Sequence, residues 1–309
     1  MYRKAEVLSR IQLRQSTIKD WLNCQLLFRF RHIEGLKPSY RGIAAIHGSA
    51  LHLAIHRLHQ SGFYQNLAHV YERALSEVME LESDIPVRWK KGESVDLEQM
   101  KEHAHELLSG YIAYAENELA EILYSEVQFR VRIGGHELTG TIDQVRMNSN
   151  GDIDLVDLKS GMQRPHAKSL PRDWQLSLYA YALKFGEVLV GGQWKRPRMS
   201  VDRTLIYFLR AHERYKRNSK YGKKGAEKGQ PFIACEKPVW DHTQFRHDLL
   251  NLLKMMTKDW PFPNPSACGY CSFHGPCESR GLFYASKKLD KLKQTLDEIS
   301  IMQTVEEGS

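Results

Sequence analysis

A turn with an acid on each flank constrains this chain more than any other feature. Gly140-Thr141-Ile142-Asp143 precedes, and Asp157-Leu158-Lys159 follows, the polar run Asn148-Ser149-Asn150-Gly151. Short polar side chains ending in glycine suit a tight reversal. The flanking segments therefore read as antiparallel strands, with Asp143 and Asp157 on neighbours. Alternate side chains of a strand share a face, so Asp157 and Lys159 project into one site while Leu158 turns back into the core. An exposed salt bridge on an edge strand has the same Asp-x-Lys spacing, but here Ile153, Leu155 and Val156 lead into it. Charges at the end of a buried apolar strand need a reason. Two converging carboxylates beside an ammonium supply one: they can hold a divalent cation and activate a water for attack on phosphate.

The wider element pattern is mixed. Periodicity predicts helices at 16–32, 43–60, 66–82 and 96–120, then strands at 123–133, 136–147 and 152–158, with Gly134-Gly135 as a hairpin turn. A helix at 173–186 follows, and the nearly continuous apolar run at 203–210 reads as a central strand. Asp241 is placed to cap a further helix, which Pro261, Pro263 and Pro265 stop. Leu289, Leu292, Leu296 and Ile299 give the tail helical spacing. The class is α/β, a mixed central sheet flanked by helices. The expected organisation is one elaborated domain over 1–309, with a helical insertion at 61–120, a cysteine loop at 261–280 and a helical tail at 281–309. No apolar run approaches membrane-spanning length.

The five cysteines, an odd count without a signal-like apolar N-terminus, argue for a reducing, intracellular and cytoplasmic setting. Three cluster as Cys268-x2-Cys271-x5-Cys277 in a loop rich in Pro, Gly and Ser, and Cys24 lies on an amphipathic stretch near the N-terminus. Thiolates presented from so irregular a loop suit metal ligation, either a structural zinc or an iron–sulfur cluster. Zinc ribbons use two Cys-x2-Cys knuckles and only one is present, which favours a cluster. His274 keeps the zinc alternative open. Cys235, in Phe232-Ile233-Ala234-Cys235, reads as a buried strand residue.

Several segments extend the pattern in a fixed order. Ser16-Thr17 precedes the lone Cys24; Gly48-Ser49-Ala50-Leu51-His52 follows. Then come the Gly-x-Ile-Asp of 140–143, the Asp-x-Lys of 157–159 with Ser160-Gly161 behind it, Gln175-x-x-x-Tyr179, and the three clustered cysteines. In this order the chain resembles the RecB/AddB-like branch of the PD-(D/E)XK nuclease superfamily, and within it the members with a four-cysteine 4Fe–4S cluster, such as the iron–sulfur exonucleases of CRISPR adaptation. The resemblance implies a restriction-endonuclease-like core and a Mg2+- or Mn2+-dependent deoxyribonuclease, an exonuclease acting on single-stranded DNA ends. It implies His52, Asp143, Asp157 and the Leu158 carbonyl as metal ligands and Lys159 as the catalytic lysine. Gln175 and Tyr179, one helical turn apart, line the site. Cys24, Cys268, Cys271 and Cys277 bind the cluster. Recombination or CRISPR-adaptation proteins are the implied partners, and an end-binding role with minor cleavage is the alternative reading.

His47, His56 and His59 compete with His52, and only the spacing from Gly48 singles out His52. Glu126 is similar to a glutamate on the strand before the Asp motif of relatives but is left outside the site. No Walker A pattern occurs, so the chain carries no helicase motor; this suits a stand-alone nuclease of a phage or mobile element. The formal charge of +7 suits a polyanionic partner. Its cations concentrate in two places. One is 212–230, where Arg214, Lys216, Arg217, Lys220, Lys223, Lys224 and Lys228 interleave with Tyr215 and Tyr221. The other is Arg164, Lys168 and Arg172, after the Asp-x-Lys strand.

Overall fold

The structure is a computed structural model. It describes residues 11–62, 66–89, 97–117, 120–164, 173–212, 232–235, 241–257 and 262–280, with 8, 166, 167 and 170. The basic segment 213–231, Lys168, Arg172 and the tail 281–309 lie outside the described residues. The chain forms two compact units, one from residues 1–16 with 40–257, the other from 17–39 with 258–309.

The first unit is built on a mixed sheet. Its long strands are β4 (Glu121–Ile133), β5 (His136–Met147) and β6 (Ile153–Lys159). Gly134 and Gly135, at φ 57° and 84°, make the β4–β5 turn, as a two-residue hairpin of the right twist requires. At the next turn the Asn148 carboxamide accepts the Asn150 and Asp152 amides at 2.8 and 3.0 Å, and Gly151 takes φ 86°. β9 (Arg203–Phe208) lies parallel to β6, and β10 (Phe232–Cys235) antiparallel to β9, so Cys235 is indeed on a strand. On the other side β4 pairs with β7 (Glu187–Val190), which turns back as β8 (Gln193–Lys195). The order is β10-β9-β6-β5-β4-β7-β8, with the short β1 (Leu13–Arg14) parallel to β5. Two-residue strands β2 (Arg41–Gly42) and β3 (Val87–Arg88) pair separately.

Helices α3 (Ile43–Ser61), α4 (Leu67–Glu80) and α5 (Leu97–Asn117) share one core with Val156, Leu158, Leu205 and Tyr207 of the sheet. Helix α6 (Trp174–Phe185) starts where the Asp173 carboxylate accepts the Gln175 and Leu176 amides at 2.8 and 3.0 Å. Asp241 likewise caps α7 (His242–Met256) by accepting the Thr243 amide at 2.9 Å. Asp154 is fully buried on β6 and receives two bonds of 2.7 Å from Arg203, with Arg146 at 3.5 Å. This is the mixed sheet flanked by helices that the sequence predicts.

The second unit departs from the sequence expectation in detail. The helix expected over 16–32 is α1 (Gln15–Asn23), then α2 (Gln25–Phe28) running into a π-turn at Arg29–Ile33. The chain breaks at Cys24, whose backbone is extended at φ −162°. A short helix, α8 (His274–Ser279), ends the described chain. Arg280 grips the Glu34 carboxylate with bonds of 2.9 and 2.8 Å, and Asp20 receives Arg31 at 2.7 Å and contacts His32 at 2.8 Å.

Candidate active site

The site lies where β4, β5 and β6 meet helices α3 and α6. Gly48 allows the approach of α3: a Cβ there would stand 2.9 Å from the Ser160 hydroxyl, just past β6. One turn later His52 points Nδ1 at two carboxylates, 3.4 Å from Glu126 Oε1 and 3.6 Å from Asp143 Oδ2. Its neighbours are engaged elsewhere. His47 meets the Tyr71 hydroxyl at 2.5 Å and His103 at 3.1 Å, His56 meets Ser125 at 3.1 Å, and His59 meets the Tyr111 hydroxyl at 2.6 Å. Of the four helix histidines, His52 is the one among the acids.

Glu126 reaches the site through an unusual backbone. It sits within β4 between Ser125, opposite Gln144, and Val127, opposite Ile142, yet takes φ 48°. A left-handed non-glycine residue inside a strand is strained by roughly 1–2 kcal/mol and persists only where its surroundings hold it. Its Oε1 is shielded from solvent and accepts no hydrogen bond of normal geometry among the described residues. Ligand atoms of His52, Glu126 and Asp143 all lie within 4.8 Å of one another, a group that can hold a metal ion. Sequence reasoning leaves Glu126 aside because a strand glutamate is ordinary; the positive φ that redirects it has no sequence signature.

Asp143 is buried, and its Oδ2 accepts the Leu158 amide at 2.7 Å. Asp157 faces a different set. Its Oδ2 pairs with Lys159 Nζ at 2.6 Å and its Oδ1 accepts Gln175 Nε2 at 2.7 Å. Gln175 also donates to the Tyr179 hydroxyl at 3.0 Å, and its Oε1 receives Lys159 Nζ at 3.4 Å and Gln15 Nε2 at 3.3 Å. Tyr179 packs edge-on against Phe129, ring centroids 5.5 Å apart, and Phe129 covers Gly140, where a Cβ would stand 2.7 Å from the ring. The glycine of Gly-x-Ile-Asp therefore seats the aromatic pair that carries Tyr179.

The electrostatics describe an anionic hole. Burial disfavours protonation of His52, but the Glu126 carboxylate 3.4 Å away and the charges of Asp143 and Asp157 outweigh burial and lift its pKa to about 9. Burial lifts Asp143 to about 7; His52 opposes this, while Asp157 and Glu126 add to it. Burial also raises Asp157, against the pull of Lys159. Burial works against the Lys159 ammonium, yet Asp157 prevails and holds its pKa above the usual lysine range. A cation inserted here relieves the crowding of carboxylates and favours their ionised forms.

In the second unit Cys24, Cys268, Cys271 and Cys277 line one cavity with Leu26, Phe30, Phe273 and His274. All four are free thiols. His274 Nε2 is 2.6 Å from the Cys268 carbonyl oxygen, to which it can only donate. Burial pushes Cys277 up to about 11, with the other three thiols adding to the shift. The four thiols share a pocket with mostly apolar side chains, and thiolates are soft ligands.

The sequence profile of the PD-(D/E)XK nuclease superfamily matches residues 12–278. This chain belongs to the PD-(D/E)XK nuclease superfamily. PD-(D/E)XK nucleases use divalent metals, in keeping with the His52, Glu126 and Asp143 group. No curated protein is significantly similar in sequence. One similar solved chain, described as "Crystal structure of SSO0001", is 14% identical with a TM-score of 0.32 over 84% of this chain and 92% of that one. A likeness that slight carries no argument. Among the described residues, no helix of this PD-(D/E)XK protein is long and apolar enough to cross a membrane.

Proposed function

We propose that this chain is a Mg2+- or Mn2+-dependent deoxyribonuclease of the RecB/AddB-like branch, an exonuclease acting on single-stranded ends in DNA recombination or repair. The observation that carries the reading is the convergence of His52, Glu126 and Asp143 beside the Asp157–Lys159 pair. His52, Asp143 and Asp157, with the Leu158 carbonyl, are the proposed ligands, and Glu126 joins them on the strength of its geometry. The bound ion supplies Lewis acidity toward a phosphate oxygen and water. Lys159 orients the attacking water or offsets charge on the phosphoryl oxygens. Gln175 keeps Asp157 and Lys159 in register, and Tyr179 holds Gln175. The expected product carries a 5′-phosphate.

Incubation with end-labelled single- and double-stranded DNA, linear and circular, tests this. Metal-dependent release of label from linear single strands is expected, with circles intact. Asp143→Ala, Asp157→Ala and Lys159→Ala should each lose activity. Undiminished metal-dependent cleavage by Asp157→Ala would reject the assignment.

The four cysteines form, in the same proposal, a 4Fe–4S site that joins residues far apart in the chain and so restrains the unfolded state. Cys24 is the fourth ligand in this proposal; His274 donates Nε2–H to the Cys268 carbonyl and keeps Nδ1 as its one possible ligand atom. Anaerobically purified protein should contain iron and absorb near about 400 nm. Cys271→Ser should remove the colour and lower solubility, whereas His274→Ala should keep the iron. Zinc in place of iron would overturn the cluster.

A further inference from the structure

The sheet has an open half beside the active site. Along β4, Val127, Phe129, Val131 and Ile133 are buried, while Gln128 and Arg132 are exposed. Register partners in a sheet point to the same face, so the pairing defines a row across four strands: Arg14 beside Thr139, Thr139 beside Arg130, Arg130 beside Glu187. Arg196, just past β8, joins it through an ion pair of 3.2 Å with Glu187. Above this row lies Trp194, opposite Leu189 and 38% exposed. The Arg130 guanidinium stacks on its indole at 4.4 Å and is pinned by Glu187 at 2.7 Å.

The face is therefore solvated and arginine-rich, and it displays a large aromatic whose orientation is fixed before anything binds. Glu187 is shared by two arginines and Glu137 meets Arg132, leaving a cationic surplus. An indole on the edge strand β8 offers a flat π surface, and the neighbouring guanidinium groups offer bidentate hydrogen bonds to phosphate. Gln128 stands two residues from Glu126 on β4, a rise of roughly 7 Å. This track therefore runs along β4 toward the segment that carries Glu126. Duplex DNA hides its base faces in the stack; an unpaired strand presents them.

We propose that this open face binds an unpaired nucleic-acid strand, with one base stacked on Trp194 and backbone phosphates on Arg132 and Arg196. The inference rests on the nuclease reading for the direction of the strand but not for its chemistry. It gives a structural reason for a preference for single strands.

The test is fluorescence anisotropy of a labelled 20-nucleotide single strand and its duplex, using the full chain in EDTA so that nothing is cleaved. Trp194→Ala should weaken single-strand binding by about tenfold or more, as removal of one stacking platform does, with a much smaller effect on duplex. Trp194→Phe should restore most of it, which a merely structural role in the hairpin would not separate by strandedness. Arg132→Ala with Arg196→Ala should lower the salt slope by about 1.4, roughly 0.7 for each phosphate no longer neutralised. Single-strand binding by Trp194→Ala equal to that of wild type overturns the track, whatever the cleavage assay shows. Trp194-dependent binding by a protein that cleaves nothing supports the track and retires the nuclease.

Discussion

Replacing Glu126 with glutamine removes one negative charge at nearly constant volume, which isolates what that carboxylate does. In the wild-type protein His52 is lifted from 6.5 to about 9. A shift of that size corresponds to about 3 kcal/mol of stabilisation of the imidazolium by the surrounding acids, net of burial. Glu126 is the leading contributor among them, at 3.4 Å from the ring nitrogen. The glutamine variant should therefore lower the His52 pKa by about one unit or more, read in NMR titrations of metal-free protein. The same charge should matter to a bound ion. Two unit charges at about 4 Å interact by about 4 kcal/mol at an effective dielectric of 20, and relief of desolvation returns part of this. A fall in Mn2+ affinity of about ten- to a hundredfold, or about 1.4–2.8 kcal/mol, is the expected calorimetric result. An unchanged His52 titration together with unchanged Mn2+ affinity would refute the placement of Glu126 in the metal group, and its strained backbone would lose its functional explanation.

Other consequences follow from the same geometry. Because Asp143 is pushed to about 7 and His52 to about 9, protons compete with the metal. Mn2+ affinity should climb from pH 6 to 9, by roughly tenfold per pH unit for each proton displaced; a flat profile contradicts the ligand set. Gly140→Ala places a methyl 2.7 Å from the Phe129 ring. It should cost about 1–3 kcal/mol of stability and slow cleavage by displacing Tyr179, which denaturant titration and turnover together would detect. Asp154→Asn leaves Arg146 and Arg203 without their buried counter-charge. The expected loss is about 3–5 kcal/mol, visible as a large fall in melting temperature with no direct effect on metal affinity.

The features legible in the sequence are those with local causes. Asp241 announces its helix because a short acid just before an apolar run can accept the first free amides. Gly134-Gly135 and the Asn148–Gly151 turn announce β4, β5 and β6 because few other residues adopt those dihedral angles. Asp143, Asp157 and Lys159 follow from the hairpin and strand alternation, whereas Gln175 and Tyr179 come from the family resemblance, with one helical turn putting them on one face. The β7–β8 hairpin escapes sequence reasoning although Gly191-Gly192 signals it, since strands of four and three residues give too little alternation to stand out. Glu126 stays hidden because its reorientation depends on tertiary context. The break at Cys24, which splits the predicted first helix, is equally invisible to helical periodicity. The engagement of His47, His56 and His59 elsewhere is a product of packing, so spacing from Gly48 is the sole guide to His52.

Anomalous scattering from crystals soaked in Mn2+ tests the central claim most directly. One strong peak is expected, bounded by His52 Nδ1 and the Glu126 and Asp143 carboxylates. A protein that binds Mn2+ only elsewhere, leaving those side chains without an ion, would contradict it.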